Sequence, residues 1–152
     1  MLELKRILLA EDNTNDAELT LAALSEHHLS NDVIHVRDGA EAMDYLLRHN
    51  RYEARPIGNP AVVLLDLKMP KVDGLEVLRR IRQAESLREV PVVVLTSSRE
   101  DQDIIETYHL GINAYVVKPV AFSEFVAAVK NLGLFWGILN EPPPGTARSG
   151  KR

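Results

Sequence analysis

Five side chains from four distant places in this chain would carry chemistry if they met. They are the carboxylates of Glu11, Asp12 and Asp66, the hydroxyl of Thr96 and the ammonium of Lys118. Each place follows a short apolar run: Arg6-Ile-Leu-Leu-Ala10, Ala61-Val-Val-Leu-Leu65, Pro91-Val-Val-Val-Leu95 and Ala114-Tyr-Val-Val117. Three carboxylates packed together repel one another, and a hard divalent cation is the simplest remedy. Oxygen ligands with room for water select Mg²⁺ over zinc, and such an ion commonly completes its shell with phosphate oxygen. Asp66 is then a nucleophile that forms an acyl phosphate. Thr96 offers a hydroxyl donor and Lys118 a point positive charge to the phosphoryl oxygens. Positioning and charge stabilisation are the main protein contributions to this reaction class. Each residue also has a plainer reading. Asp66 can cap its strand through local amides, Thr96 can form a turn, and Lys118 can be solvated.

What decides between these readings is the elements that carry the residues. The runs at Ala61–Leu65 and Pro91–Leu95 are continuously apolar, as in strands buried on both faces. Shorter strands are expected at Arg6–Ala10, Asp32–Val36 and Ala114–Val117. Helical patterns lie between them. Asn15 to about Glu26 carries Ala17, Leu21, Ala22, Ala23 and Leu24. A helix capped by Asp38 in the capping-box spacing Asp38-Gly-Ala-Glu41 runs to about His49, with Ala42, Met43, Leu46 and Leu47 inward. Leu75 to about Ala84 sets Leu75, Leu78 and Ile81 against a solvated face of Arg79, Arg80 and Arg82. Further helices are expected over Asp101 to about Leu110, stopped at Gly111, and from about Ser123 to Leu132. Asn50–Pro60 is a long loop, and Pro70 with Asp73-Gly74 breaks the chain after Asp66. Strict alternation of strand and helix, about five of each, predicts an α/β fold. It is a doubly wound parallel sheet with helices on both faces. Parallel strands put their carboxyl ends on one edge, so the five side chains are expected to converge.

With 152 residues the chain suits one domain, here 1–140, followed by a basic Pro/Gly/Ser-containing tail over 141–152 that cannot pack. A net charge of −4 argues against binding nucleic acid by bulk electrostatics. The lack of cysteine excludes disulfides and thiolate sites and fits the cytoplasm. No apolar run approaches the roughly 20 residues that span a bilayer. The five histidines, His27, His28, His35, His49 and His109, show no ligand spacing and are expected on the surface or in loops. There is no glycine-rich nucleotide loop.

The combination of Glu11-Asp12, Asp66 in Leu-Leu-Asp66-Leu-Lys-Met-Pro-Lys-Val-Asp-Gly74, Thr96 in Val-Leu-Thr-Ser-Ser, and Lys118-Pro119 resembles the receiver domain of two-component response regulators over about Arg6–Leu132. The resemblance implies a flavodoxin-like, five-stranded sheet in the order 2-1-3-4-5. It implies that Asp66 takes a phosphoryl group from a sensor histidine kinase. Mg²⁺ would be ligated by Asp12, Asp66 and the Lys68 carbonyl, with Glu11 acting mostly through water. It also implies a cis Lys118–Pro119 bond, a switch in which Tyr115 turns inward as Thr96 moves toward the phosphate, and tuning of the phosphoryl lifetime at Lys68 and Ser98. Glu11 departs from the commoner Asp, and Lys68 from the usual Asn.

Glu11-Asp12-Asn13, the Asn50–Pro60 loop and Phe135-Trp136 further resemble the small stand-alone regulators paired with bacterial and cyanobacterial phytochrome kinases. That implies a light-regulated histidine kinase partner. The apolar group Leu134, Phe135, Trp136, Ile138 and Leu139 is expected to form a homodimer interface. Two other readings are open: a phosphohydrolase with an Asp nucleophile, which would want an acid where Lys68 stands, and a degenerate receiver that acts unphosphorylated as a dimeric interaction module. No enzymatic activity is expected beyond self-phosphorylation and self-dephosphorylation.

Overall fold

Alternation within continuously apolar strands divides the core in two. A computed structural model of the chain describes residues 6–25, 33–69, 71–96, 111–112, 114–118, 120–121, 123–125 and 127. Five strands, β1 (Ile7–Ala10), β2 (Val33–Val36), β3 (Val62–Asp66), β4 (Val92–Thr96) and β5 (Ala114–Val117), form one all-parallel sheet in the order β2-β1-β3-β4-β5. Between them lie helices α1 (Thr14–Ser25), α2 (Gly39–Leu47) and α3 (Gly74–Gln83). Every residue of β1, β3 and β4 is buried. Successive side chains point to opposite faces. Leu8, Ala10, Val63, Leu65, Val92 and Val94 therefore pack with Met43, Leu46, Val77, Leu78 and Ile81 of α2 and α3. Ile7, Leu9, Val62, Leu64, Val93 and Leu95 pack with Ala17 and Leu24 of α1 and with Phe125. This is the doubly wound flavodoxin-like architecture that the alternation and the resemblance imply.

The expected cap at Asp38 is present, and Asp73, expected only as a turn residue, caps α3 as well. Asp38 Oδ1 accepts the Glu41 N–H at 2.8 Å, and Asp73 Oδ1 accepts that of Glu76 at 3.0 Å. The reciprocal half of the expected box differs, because Glu41 Oε1 accepts from Arg37 N–H rather than from Asp38. Some helix faces also depart from their apolar pattern. Leu47, expected inward, is 37% exposed, and Tyr45 is buried in its place under the Arg55 guanidinium. Ala22 is exposed, while Thr20 and Val77 are buried. Arg82 does not belong to a solvated face. Its guanidinium donates to the carbonyls of Arg88 at 2.9 Å, Val90 at 2.8 Å and Gly111 at 2.9 Å, tying α3 to the approaches of β4 and β5. His35 sits within β2 rather than on a loop. The loop over residues 50–60 contains a 3₁₀ turn at Asn50–Tyr52. The expected helix over 101–110, most of the last helix and the tail lie outside the described residues, as do His27, His28 and His109.

Candidate functional site

The carboxyl ends of β1, β3, β4 and β5 meet at one rim. β1 delivers Glu11, whose N–H donates to the Val36 carbonyl at 3.0 Å. Its own carbonyl lies 2.8 Å from His35 Nε2, which must carry the proton because a carbonyl only accepts. β2 thus fixes the Glu11 backbone from two sides, and the side chain is fully buried. Asp12 follows and is exposed. Asn13 then caps α1, its Oδ1 accepting the Asp16 N–H at 2.9 Å.

β3 ends on Asp66, 5% exposed. The plain and the chemical readings of this residue coexist. Its Oδ1 accepts the Lys68 N–H at 3.3 Å, a local turn bond, while Oδ2 faces Lys118. The chain then folds back so tightly that Gly74 N–H donates to the Leu67 carbonyl at 2.9 Å. A Cβ on Gly74 would run into the Asp66 carbonyl and the Leu67 Cα. Only glycine permits that approach, so the Asp73-Gly74 pair sets how the Asp66 end of the strand is held. Thr96, buried, closes β4, and the Lys118 N–H donates to its carbonyl at 2.7 Å, which carries the parallel ladder one residue past β5.

The Lys118 ammonium stands among three carboxylates: Glu11 Oε1 at 3.1 Å, Asp16 Oδ2 at 2.9 Å and Asp66 Oδ2 at 3.4 Å. Burial alone would lower its pKa, but the hydrogen bond to Asp16 and the charges of Asp66 and Glu11 outweigh that and hold it above the usual lysine value. Glu11 is raised as well, to about 7, first by burial, then by its hydrogen bond with Asp66 and that group's charge; Lys118 and the Asn13 N–H offset only part of this. The pocket therefore holds more negative charge than one ammonium neutralises. Oxygens of Glu11, Asp12 and Asp66 all lie within 4.8 Å of one another. Three hard oxygen donors with an under-compensated charge fit a divalent cation of the Mg²⁺ or Ca²⁺ type and do not fit soft-ligand zinc.

An open pocket of about 220 Å³ is lined by Glu11, Asp12, Asn13, Asp16, Asp66, Leu67, Lys68, Thr96 and Lys118. The structure thus brings together Glu11, Asp12, Asp66, Lys68, Thr96 and Lys118. Tyr115 does not line it. It is partly buried on β5, packed against the core cluster beneath α2 and α3. Asp16 belongs to the pocket although its sequence context does not announce it. The available signal was an acid one helical turn past Asp12, in the first turn of the helix that follows. Pro119, Ser98 and the group Leu134, Phe135, Trp136, Ile138 and Leu139 lie outside the described residues.

A parallel sheet in this order with acids, hydroxyl and lysine at its carboxyl edge defines a receiver. The chain belongs to the response regulator receiver domain family, whose model matches residues 7–130. Among solved structures it is similar to the bacteriophytochrome response regulator RtBRR, at 62% identity and TM-score 0.83, covering 94% of this chain and 86% of that one. It is also similar to the phosphorylated cyanobacterial phytochrome response regulator RcpA, at 40% identity and TM-score 0.72, over 88% of this chain and 94% of that one. Response regulator Rcp1 of Synechocystis sp. is 39% identical over 132 residues, 87% of this chain and 88% of Rcp1. The solved Mn(2+)-bound form of Rcp1 matches with TM-score 0.71 at 35% identity, over 95% of this chain and 99% of that one. The chain is thus a two-component receiver related to phytochrome response regulators. No helix among the described residues is long and apolar enough to cross a membrane.

Proposed function

We propose that this protein is a stand-alone response regulator that accepts a phosphoryl group on Asp66 from a sensor histidine kinase of the phytochrome type. The observation that carries the reading is the single pocket in which Asp66 Oδ2 faces the Lys118 ammonium at 3.4 Å beside Glu11, Asp12 and Thr96. The names of RtBRR, RcpA and Rcp1 support the phytochrome pairing, and the phosphorylated and Mn(2+)-bound relatives support the chemistry.

An Asp66 carboxylate oxygen attacks phosphorus. The new O–P bond forms as the P–N bond to the kinase's phosphohistidine breaks, and the electron pair leaves with the imidazole nitrogen. Asp66 is positioned for this by its place at the end of a buried strand and by the Lys68 N–H. Lys118, held charged by its carboxylate neighbours, places a fixed positive charge beside the phosphoryl oxygens. The Thr96 hydroxyl, at the end of the adjacent strand, donates to another. Asp12, Asp66 and the Lys68 carbonyl, with Glu11 through water, would hold Mg²⁺, which when bound supplies charge neutralisation at the carboxylates and the transferring group. Phosphorylation adds about −1.5 to −2 charge units at this rim. Movement of Thr96 toward that charge would release the Tyr115 ring on the neighbouring strand. Output then runs through protein contacts of a homodimer built on Leu134, Phe135, Trp136, Ile138 and Leu139.

Acetyl phosphate with Mg²⁺, followed by intact mass, tests the reading. One phosphoryl adduct is expected, absent in Asp66→Asn. Multiple turnover of a small phosphate ester would favour a hydrolase instead, and no adduct from any donor would favour an unphosphorylated interaction module.

A further inference from the structure

Asp16 carries a carboxylate that its own helix does not use. In a capping box the acid three residues past the cap turns back to the cap's N–H. Here that N–H, of Asn13, is taken by Glu11 Oε2 at 3.2 Å. Asp16 Oδ2 instead lies 2.9 Å from Lys118 Nζ, shorter than the ammonium's contacts with Glu11 at 3.1 Å and Asp66 at 3.4 Å. An ammonium has three N–H donors and nothing else to offer. Three carboxylates from three parts of the fold take one each: Glu11 just past β1, Asp16 in α1 and Asp66 on β3.

We propose that Asp16 is a positioning residue for phosphoryl transfer: with Glu11 it forms two legs of a tripod that aims the third Lys118 N–H at Asp66. The proposal rests on the reading of Asp66 as phosphoacceptor. The contact to Asp66 is the longest of the three and lies furthest beyond the usual charge-assisted range. It is the one that yields when a phosphoryl oxygen arrives, while the two shorter contacts stay. Lysine is a point charge on a flexible four-carbon stem and has no rigid fork to hold its direction. Without Asp16 the ammonium pivots about Glu11, and its third N–H loses its aim. The Asp16 side chain is 31% exposed, so solvent and salt screen its charge from an incoming phosphodonor. The hydrogen bond is not screened in this way, so lost aim outweighs relieved repulsion.

Three proteins are compared by intact mass during phosphorylation by acetyl phosphate at saturating Mg²⁺: wild type, Asp16→Ala and Asp16→Asn. Asp16→Ala is expected to slow the reaction about five- to tenfold, a modest share of what misplacement can cost, with Mg²⁺ affinity unchanged. Asp16→Asn keeps an oxygen acceptor at the same place and is expected to restore most of the rate. In a Lys118→Ala background the Asp16→Ala change should have no further effect. A metal-free readout accompanies the rates. The ¹⁵Nζ–H signal of Lys118, assigned through Lys118→Arg, should be protected from exchange in wild type and Asp16→Asn and lost in Asp16→Ala. A rate in Asp16→Ala equal to or above wild type, or a retained lysine signal, overturns the tripod. Should wild type itself take no phosphoryl group, the phosphoacceptor reading fails, and the lysine signal still decides the tripod.

Discussion

Glu11 and Lys118 both hold their protons more tightly in the folded pocket than as free side chains. The folded, metal-free protein keeps a proton on Glu11 up to about pH 7, whereas an unperturbed carboxyl releases it near 4.5. Between those values the native state binds more protons than the unfolded chain. Stability from this group is therefore present at the acid end and lost as pH rises through the window. At about 1.4 kcal/mol per unit of pKa, the loss is at most on the order of 3 kcal/mol. Lys118, with its pKa raised above the ordinary lysine value, stays charged throughout and adds no slope there. In urea unfolding without metal, wild type should lose stability relative to Glu11→Gln between pH 5 and pH 8. Parallel curves for the two proteins would show that Glu11 ionises freely in the fold. Added Mg²⁺ is expected to reduce the wild-type slope, because a cation beside the carboxylate offsets the burial that raises its pKa. The acids, the hydroxyl and the ammonium were legible in the sequence because each follows a continuous apolar run. Asp16 was not, because its context reads as an ordinary helical first turn.

Two residues that touch no reacting atom set how the elements meet. At Gly74 the β3–α3 turn passes so close to the Asp66 carbonyl that any side chain forces the strand end to shift. Gly74→Ala should cost about 1–3 kcal/mol of stability, as overpacking does. It should also weaken Mg²⁺ binding, since Asp66 and Lys68 move with the turn; calorimetric titration of Mg²⁺ unchanged from wild type would contradict this. Arg82 ties the end of α3 to three carbonyls near β4 and β5. Arg82→Ala removes all three hydrogen bonds, two of them solvent-exposed, and should cost about 2 kcal/mol. The Mg²⁺ affinity should stay unchanged, because the pocket lies at the opposite, carboxyl edge of the sheet. The arginine's sequence pattern, three basic residues opposite an apolar stripe, describes a solvated face. Its partners lie 6, 8 and 29 residues away in sequence, and no local period records them. The same reason separates Leu47 from Tyr45 on α2. Both suit an apolar face, and tertiary partners, the Arg55 guanidinium over the Tyr45 ring and the Tyr52 ring against its edge, decide which is covered.

At the scale of the molecule, the sheet does the work of convergence and the C-terminal segment is proposed to carry association. Truncation after Leu132 should shift the protein toward monomer in sedimentation; an unchanged dimer would remove Leu134–Leu139 from the interface. The sequence by itself determined the alternation of strand and helix, the buried character of the central strands, the cap at Asp38, and the placement of acids, Thr96 and Lys118 at strand ends. These are properties of neighbours along the chain: side-chain period, turn residues and short-range hydrogen bonds. Tertiary structure alone decided that Lys118 is shared among Glu11, Asp16 and Asp66, that burial raises Glu11, that His35 pins the Glu11 carbonyl and that Arg82 is a tether. Each of those depends on distances between groups up to about a hundred residues apart, as in the 107-residue separation of Lys118 and Glu11. Such distances exist only once parallel pairing has brought the carboxyl ends of the strands to one edge.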